Sequence, residues 1–91
     1  MNGNNTSVGD RLTETLKGLN LENPEIRISP PDGHSYRIMG VLISPSFETM
    51  DEGERQEMVW GRVLATLDQE DQDRIEFIYT DAPSERMSAT P

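Results

Sequence analysis

The chain has 91 residues, a hydrophobic fraction of 33% and a mean hydropathy of -0.68, which suits one small domain with polar ends and limits it to a single modest core. Eight Lys/Arg against 17 Asp/Glu give a formal net charge of -9, and twelve of those carboxylates but only four of the cations fall in residues 48–91, so that half should repel phosphate backbones. Cysteine is absent, which excludes disulfides and any thiolate ligand to zinc or to an iron–sulfur cluster from this chain.

Residues 1–6 are rich in asparagine and lack apolar periodicity, as expected of a disordered terminus. They also lack the basic start and apolar middle of a signal peptide, and no stretch approaches the roughly 20 apolar residues that span a bilayer. The expected location is therefore the cytoplasm. Ser7 is placed to cap a first helix in which Val8, Leu12, Leu16 and Leu19 share one face. Gly18 weakens its last turn, and Asn23-Pro24 closes the connection.

Glu25 to Ser29 alternates with period two and reads as a half-buried strand, followed by a Pro30-Pro31-Asp32-Gly33 turn. A second strand is expected from Tyr36 to Ser44. Its apolar residues Ile38, Met39, Val41, Leu42 and Ile43 point to both faces, the pattern of a central strand. Gly40 marks a bulge or a close helix contact. Ser44-Pro45 ends the strand, because proline removes a ladder donor and drives its predecessor away from helical geometry.

Thr49 and Glu52 have the spacing of a capping box, which predicts a helix from that point. Val59, Trp60, Val63, Leu64 and Leu67 form its expected buried stripe, while Asp51, Glu54 and Glu57 face solvent. Asp68 to Asp73 reads as a solvated polar connection with room for one helical turn. Its Asp68, Glu70, Asp71 and Asp73 lack the spacing and central glycine of a calcium-binding EF-hand loop. Arg74 to Tyr79 alternates as a third strand, and a strand, helix and strand in one small sheet favour a parallel crossover. Trp60, Phe77 and Tyr79 are expected in the core or at its edge. Pro83 starts one final helical turn, and residues 86–91 read as a flexible tail.

The segment from Val41 to Trp60 resembles the BolA family, whose hallmark is an apolar strand ending in Val-Ser, a Phe-x-Gly turn and Arg-His-x-x-Val-Tyr in a helix. The matching residues are Ile43-Ser44, Phe47, Arg55, Met58-Val59 and Trp60 in the tyrosine place. Thr49 replaces the usual glycine, and Gln56 replaces the family's helix histidine. A weaker similarity includes Gly33-His34 and Thr80 to Glu85, so the resemblance covers residues 10–85 and sets the domain at 7–85. It implies an α/β (α+β) domain of α-β-β-α-β order, related to the type II KH topology, with a three-stranded mixed sheet and helices on one face.

The resemblance also implies a function. BolA-like proteins are adaptors that share a [2Fe–2S] cluster with a monothiol glutaredoxin; the glutaredoxin and glutathione provide thiolates, and the BolA-like partner supplies a loop ligand and the helix histidine. His34, the chain's only histidine, resembles the family's loop ligand by position; on its own residues it reads as a solvated loop imidazole. Arg55 and Gln56 fall where the partner-binding helix would lie. Gln56 offers an amide, a poor soft-metal ligand beside imidazole, so a two-histidine arrangement cannot form within this chain. The expected function is a non-catalytic adaptor for a protein partner, a monothiol glutaredoxin, in iron–sulfur metabolism or stress response. The alternatives are a KH-like nucleic-acid-binding transcriptional regulator and a diverged protein-interaction domain. Direct nucleic-acid binding is disfavoured, since the chain has neither a Gly-x-x-Gly loop nor a basic stripe. An enzyme is disfavoured because no nucleophile–base pair, phosphate loop or metal-ligand set is recognisable.

Overall fold

The computed structural model describes residues 7–30 and 36–88. The expectations for the N-terminal segment 1–6, for the Pro31-Asp32-Gly33 part of the turn, for His34 and for residues 89–91 of the flexible tail lie outside the described residues. The element order is α1 (Val8–Lys17), β1 (Glu25–Ser29), β2 (Ile38–Ile43), a 3₁₀ turn (Pro45–Thr49), α2 (Glu52–Thr66), α3 (Gln69–Asp73), β3 (Ile75–Asp81) and α4 (Pro83–Ser88). β2 is the central strand, antiparallel to β1 and parallel to β3. This is a small α+β domain with a three-stranded mixed sheet, consistent with the α-β-β-α-β expectation.

α1 starts where Ser7 accepts a hydrogen bond from the Asp10 amide, while the Asp10 carboxylate accepts one from Ser7. That reciprocal cap satisfies two of the amides a helix start leaves open. Val8, Leu12 and Leu16 are fully buried against the sheet. The helix stops at Lys17, two residues short of Leu19. Gly18 caps it in ordinary right-handed geometry, and the end of the Arg62 side chain rests where a Cβ would stand, so a larger residue here would displace that flexible guanidinium. Asn23, at a φ of 42°, turns the chain into β1, in the left-handed region that asparagine tolerates better than most residues.

On the sheet face covered by α1 and α2, Ile38 and Leu42 of β2 and Ile78 of β3 meet Leu12, Leu16, Val59 and Val63 in one core. Gly40 faces Leu12 of α1 at a distance that would accommodate a methyl group. The irregularity in the ladder falls between Ile38 and Met39 instead of at Gly40. Phe47, fully buried in the 3₁₀ turn, closes one end of the core.

Five local expectations need correction. The cap of α2 is Asp51, paired reciprocally with Glu54 at 2.8 and 2.9 Å, because the 3₁₀ turn launched by Ser44-Pro45 takes up Thr49 and delays the helix by two residues. Leu64 is 60% exposed; the buried stripe is Arg55, Val59, Val63 and Leu67, a strict spacing of four that turns Leu64 away. Asp71 is buried within α3, where its carboxylate receives Arg11 Nε at 2.6 Å and Nη2 at 2.9 Å, so the acidic connection includes a clamp on α1. Phe77 and Tyr79 are 39% and 48% exposed, since they lie on the sheet face opposite the helices. α4 extends to Ser88, three residues past the anticipated domain boundary.

Candidate functional site

The residues singled out by the family resemblance converge where α2 begins. Arg55 occupies the first position of the buried stripe, with only 6% of its surface exposed. A guanidinium has five N–H donors, and here each finds an acceptor. Nε donates to the Met50 carbonyl at 3.0 Å. Nη1 donates to the Thr80 carbonyl at 3.1 Å and to Glu85 Oε1 at 2.8 Å. Nη2 donates to the Phe47 carbonyl at 2.7 Å and to Glu85 Oε2 at 2.7 Å. The same guanidinium sits 5.5 Å from the centre of the Phe47 ring, within cation–π range. Arg55 thus clasps the exit of β2, the end of β3 and the start of α4.

The electrostatics follow from that geometry. The bidentate bond from Arg55, supported by a bond from the Ala82 amide at 3.0 Å, holds the Glu85 carboxyl down to about 2. The same pairing raises the Arg55 guanidinium above its already high value. In the Arg11–Asp71 pair, the hydrogen bonds from Arg11 lower Asp71.

Gln56 points along the flank of α2 and is half-buried. Its Nε2 donates to the Ile78 carbonyl at 2.9 Å, with Thr80 Oγ1 and Glu52 Oε2 both at 3.3 Å. Its Oε1 accepts from Trp60 Nε1 at 3.1 Å. An indole N–H only donates, so Trp60 needs an acceptor one turn earlier, and the amide supplies one while donating from its other end. Gln56, Trp60 and Leu64 recur every four residues and form one line on that flank. The structure therefore brings Arg55 and Gln56 together at the α2–β3 junction. His34 is outside the described residues.

Arg55 and Gln56 do not fit a cluster-ligating role. Both ends of the Gln56 amide are already bonded within the domain, and among the described residues no group of three or more His, Cys, Asp or Glu is placed to hold a metal ion. A groove of about 680 Å³ opens between α1 and α2, lined in part by Asp10, Arg11, Lys17, Arg62 and Leu67.

The opposite face of the sheet offers a different surface. The register sets Met39 of β2 beside Phe77 and Val41 beside Tyr79, and the two aromatic rings meet edge to face at 4.7 Å. Across β1 the row continues through Ser29, Arg27 and Glu25. Alternation in β3 signalled two faces, but nothing in its residues announced that one would stay uncovered. No helix among the described residues is long and apolar enough to cross a membrane. No protein-family model matches the chain, and no curated protein matches it either.

Proposed function

We propose that this domain is a non-catalytic adaptor of BolA-like form that binds a protein partner, with a monothiol glutaredoxin as the partner class its sequence resemblance implies. The reading extends to a place in iron–sulfur metabolism or stress response and to a cytoplasmic location. The observation that carries it is the uncovered sheet face, where Phe77 and Tyr79 hold large apolar area in solvent beside Met39 and Val41; such contiguous surface marks interaction sites. The polar groups near α2 support a non-catalytic role in a complementary way. Arg55, Glu85 and Gln56 are bonded to one another's surroundings, and their geometry serves to hold elements in place.

Titration calorimetry with a monothiol glutaredoxin, under anaerobic conditions with glutathione and iron, tests the partner class. The expected result is a complex that Phe77→Ser combined with Tyr79→Ser weakens by more than tenfold, at unchanged thermal stability. Binding that survives this double variant and is lost in Gln56→Ala moves the interface to the α2 flank. Absence of any complex refutes the glutaredoxin assignment, and a pull-down from the native host then identifies the partner.

A second reading has one specific observation in its favour: an exposed aromatic pair on an open sheet is a geometry on which unpaired bases stack. The net charge of -9 opposes it, because nucleic-acid affinity depends on cations that release counterions. Salt-dependent binding of a single-stranded oligonucleotide, abolished by the same double variant, would favour this reading over the adaptor.

A further inference from the structure

The two edges of the sheet are treated differently. The Asp81 carbonyl accepts from Ser44 across the β2–β3 ladder, so by strand alternation the Thr80 and Ile78 carbonyls point away from β2. Arg55 occupies the first and Gln56 the second. Side chains from α2 thereby guard the outer edge of β3 against another strand. β1 pairs only with β2, and among the described residues no side chain guards its outer edge in this way.

The residues of β1 suit a particular occupant. Ile26 and Ile28 face the helices and remain only half-buried at the margin of the core. Glu25 and Arg27 point to the open face, where Arg27 Nε donates to Glu25 Oε2 at 2.6 Å and both side chains remain half-exposed. One strand thus presents an acid and a base two residues apart on one face.

From the bare edge and its charge order, we propose that β1 pairs antiparallel with β1 of a second copy of this chain about a two-fold axis at Ile26. Directly opposed residues in an antiparallel pair point to the same face, so two registers centred within the strand's middle compete. Centring on Ile26 sets Glu25 opposite the partner's Arg27 and Arg27 opposite the partner's Glu25, with Ile26 against the partner's Ile26. Centring on Arg27 sets that arginine against itself. Like charges directly opposed destabilise a pair and opposite charges favour it, which selects the first register. Each of the four charges then lies between two of opposite sign, one along its own strand and one across the axis. The product is a six-stranded sheet, and the interface is isologous, with the same patch used by both copies. Pro24 and Pro30 bound β1 on either side, keeping the added pairing short and the association concentration-dependent.

Sedimentation equilibrium in about 0.15 M salt, which screens the mutual repulsion of two acidic chains, provides the test. The wild type is expected to dimerise as concentration rises. Arg27→Glu and Glu25→Arg each convert two attractive contacts into two repulsive ones and should each weaken dimerisation roughly tenfold. The charge-swapped double variant should recover it, and an equimolar mixture of the two single variants should form the heterodimer. Circular dichroism checks that these exposed substitutions leave the fold intact. A wild type that stays monomeric at every concentration overturns the proposal. So does a dimer unaffected by Glu25→Arg, which excludes the register, or one lost only in Phe77→Ser with Tyr79→Ser, which places the contact on the open face.

Discussion

Replacing Arg55 by alanine should be among the most damaging single changes at the α2–β3 junction. Truncation removes all five hydrogen bonds at once, leaving the Phe47, Met50 and Thr80 carbonyls without their donor. A carbonyl deprived of its partner in a partly buried site costs about 1 kcal/mol, so three cost about 3 kcal/mol. The Glu85 side chain is 48% exposed and regains water, which holds the total near the lower end of the roughly 3–5 kcal/mol typical of a broken buried ion pair. For a domain of this size the loss corresponds to a fall in Tm of about 12–24 °C. Arg55→Lys keeps the charge but has three donors and no planar fork, and should cost about 2 kcal/mol. Urea unfolding followed by the fluorescence of the single tryptophan, Trp60, and by far-ultraviolet circular dichroism measures both. A loss below about 1 kcal/mol for Arg55→Ala, or a lysine variant as stable as the wild type, would refute the assignment of a structural clasp.

Acid should loosen the same clasp: Glu85 falls from an ordinary carboxylate value near 4.5 to about 2 on folding, so its contribution is complete above pH 4.5 and disappears as pH falls towards 2. Tm measured from pH 6 to pH 2.5 should decline, and Glu85→Gln should lower Tm at pH 6 and flatten that decline; parallel curves for the two proteins would contradict it. Gln56→Ala leaves the Trp60 indole and the Ile78 carbonyl without partners and should destabilise the domain by about 1–2 kcal/mol with a shifted Trp60 emission spectrum, whereas an unchanged denaturation midpoint would dismiss the bridge. Gln56→His should increase cluster-bridged complex formation with a monothiol glutaredoxin, and adding His34→Ala should remove the gain, as read by visible absorption and circular dichroism after anaerobic reconstitution; a stable wild-type cluster complex indifferent to both changes would overturn the ligand argument. Fluorescence anisotropy should detect no appreciable binding to duplex DNA at physiological salt, and a submicromolar sequence-specific complex would show that a local surface outweighs the net charge of -9.

The elements whose placement depends on neighbours in sequence were legible from the residues alone. Glu25 to Ser29 is a strand with the expected bounds because Ile26 and Ile28 alternate between two prolines. Ser7 caps α1 because its serine and Asp10 satisfy each other's backbone amides. The start of α2 was ambiguous: Thr49–Glu52 and Asp51–Glu54 are both separated by three residues, as a capping box requires. What selects the second is Ser44 Oγ, which accepts from Ser46 and donates to the Glu22 carbonyl 22 residues away. That bond ties the 3₁₀ turn to the approach to β1, and no local pattern contains it. The exposure of Phe77 and Tyr79 was hidden for a related reason. Period two separates the faces of a strand, but which face receives helices is decided by where α1 and α2 dock.

Arg55 and Gln56 stand next to each other, yet their roles were legible to different degrees. The resemblance marked both, and also residues 80–85, without the reason that joins them. That reason is geometrical: a buried guanidinium requires acceptors on all sides, so Arg55 draws Phe47, Met50, Thr80 and Glu85 around itself from three separate stretches of chain. Gln56 faces a smaller demand, set by a donor-only indole on one side and a strand carbonyl on the other. An amide meets both demands with one end each. The amide that stands where the BolA resemblance would expect a histidine is therefore the group that joins α2, Trp60 and the outer edge of β3. Among the described residues that leaves β1 as the unguarded edge, while Phe77 and Tyr79 lie exposed on the opposite sheet face, so the proposed self-pairing and the proposed partner contact use separate parts of one small sheet.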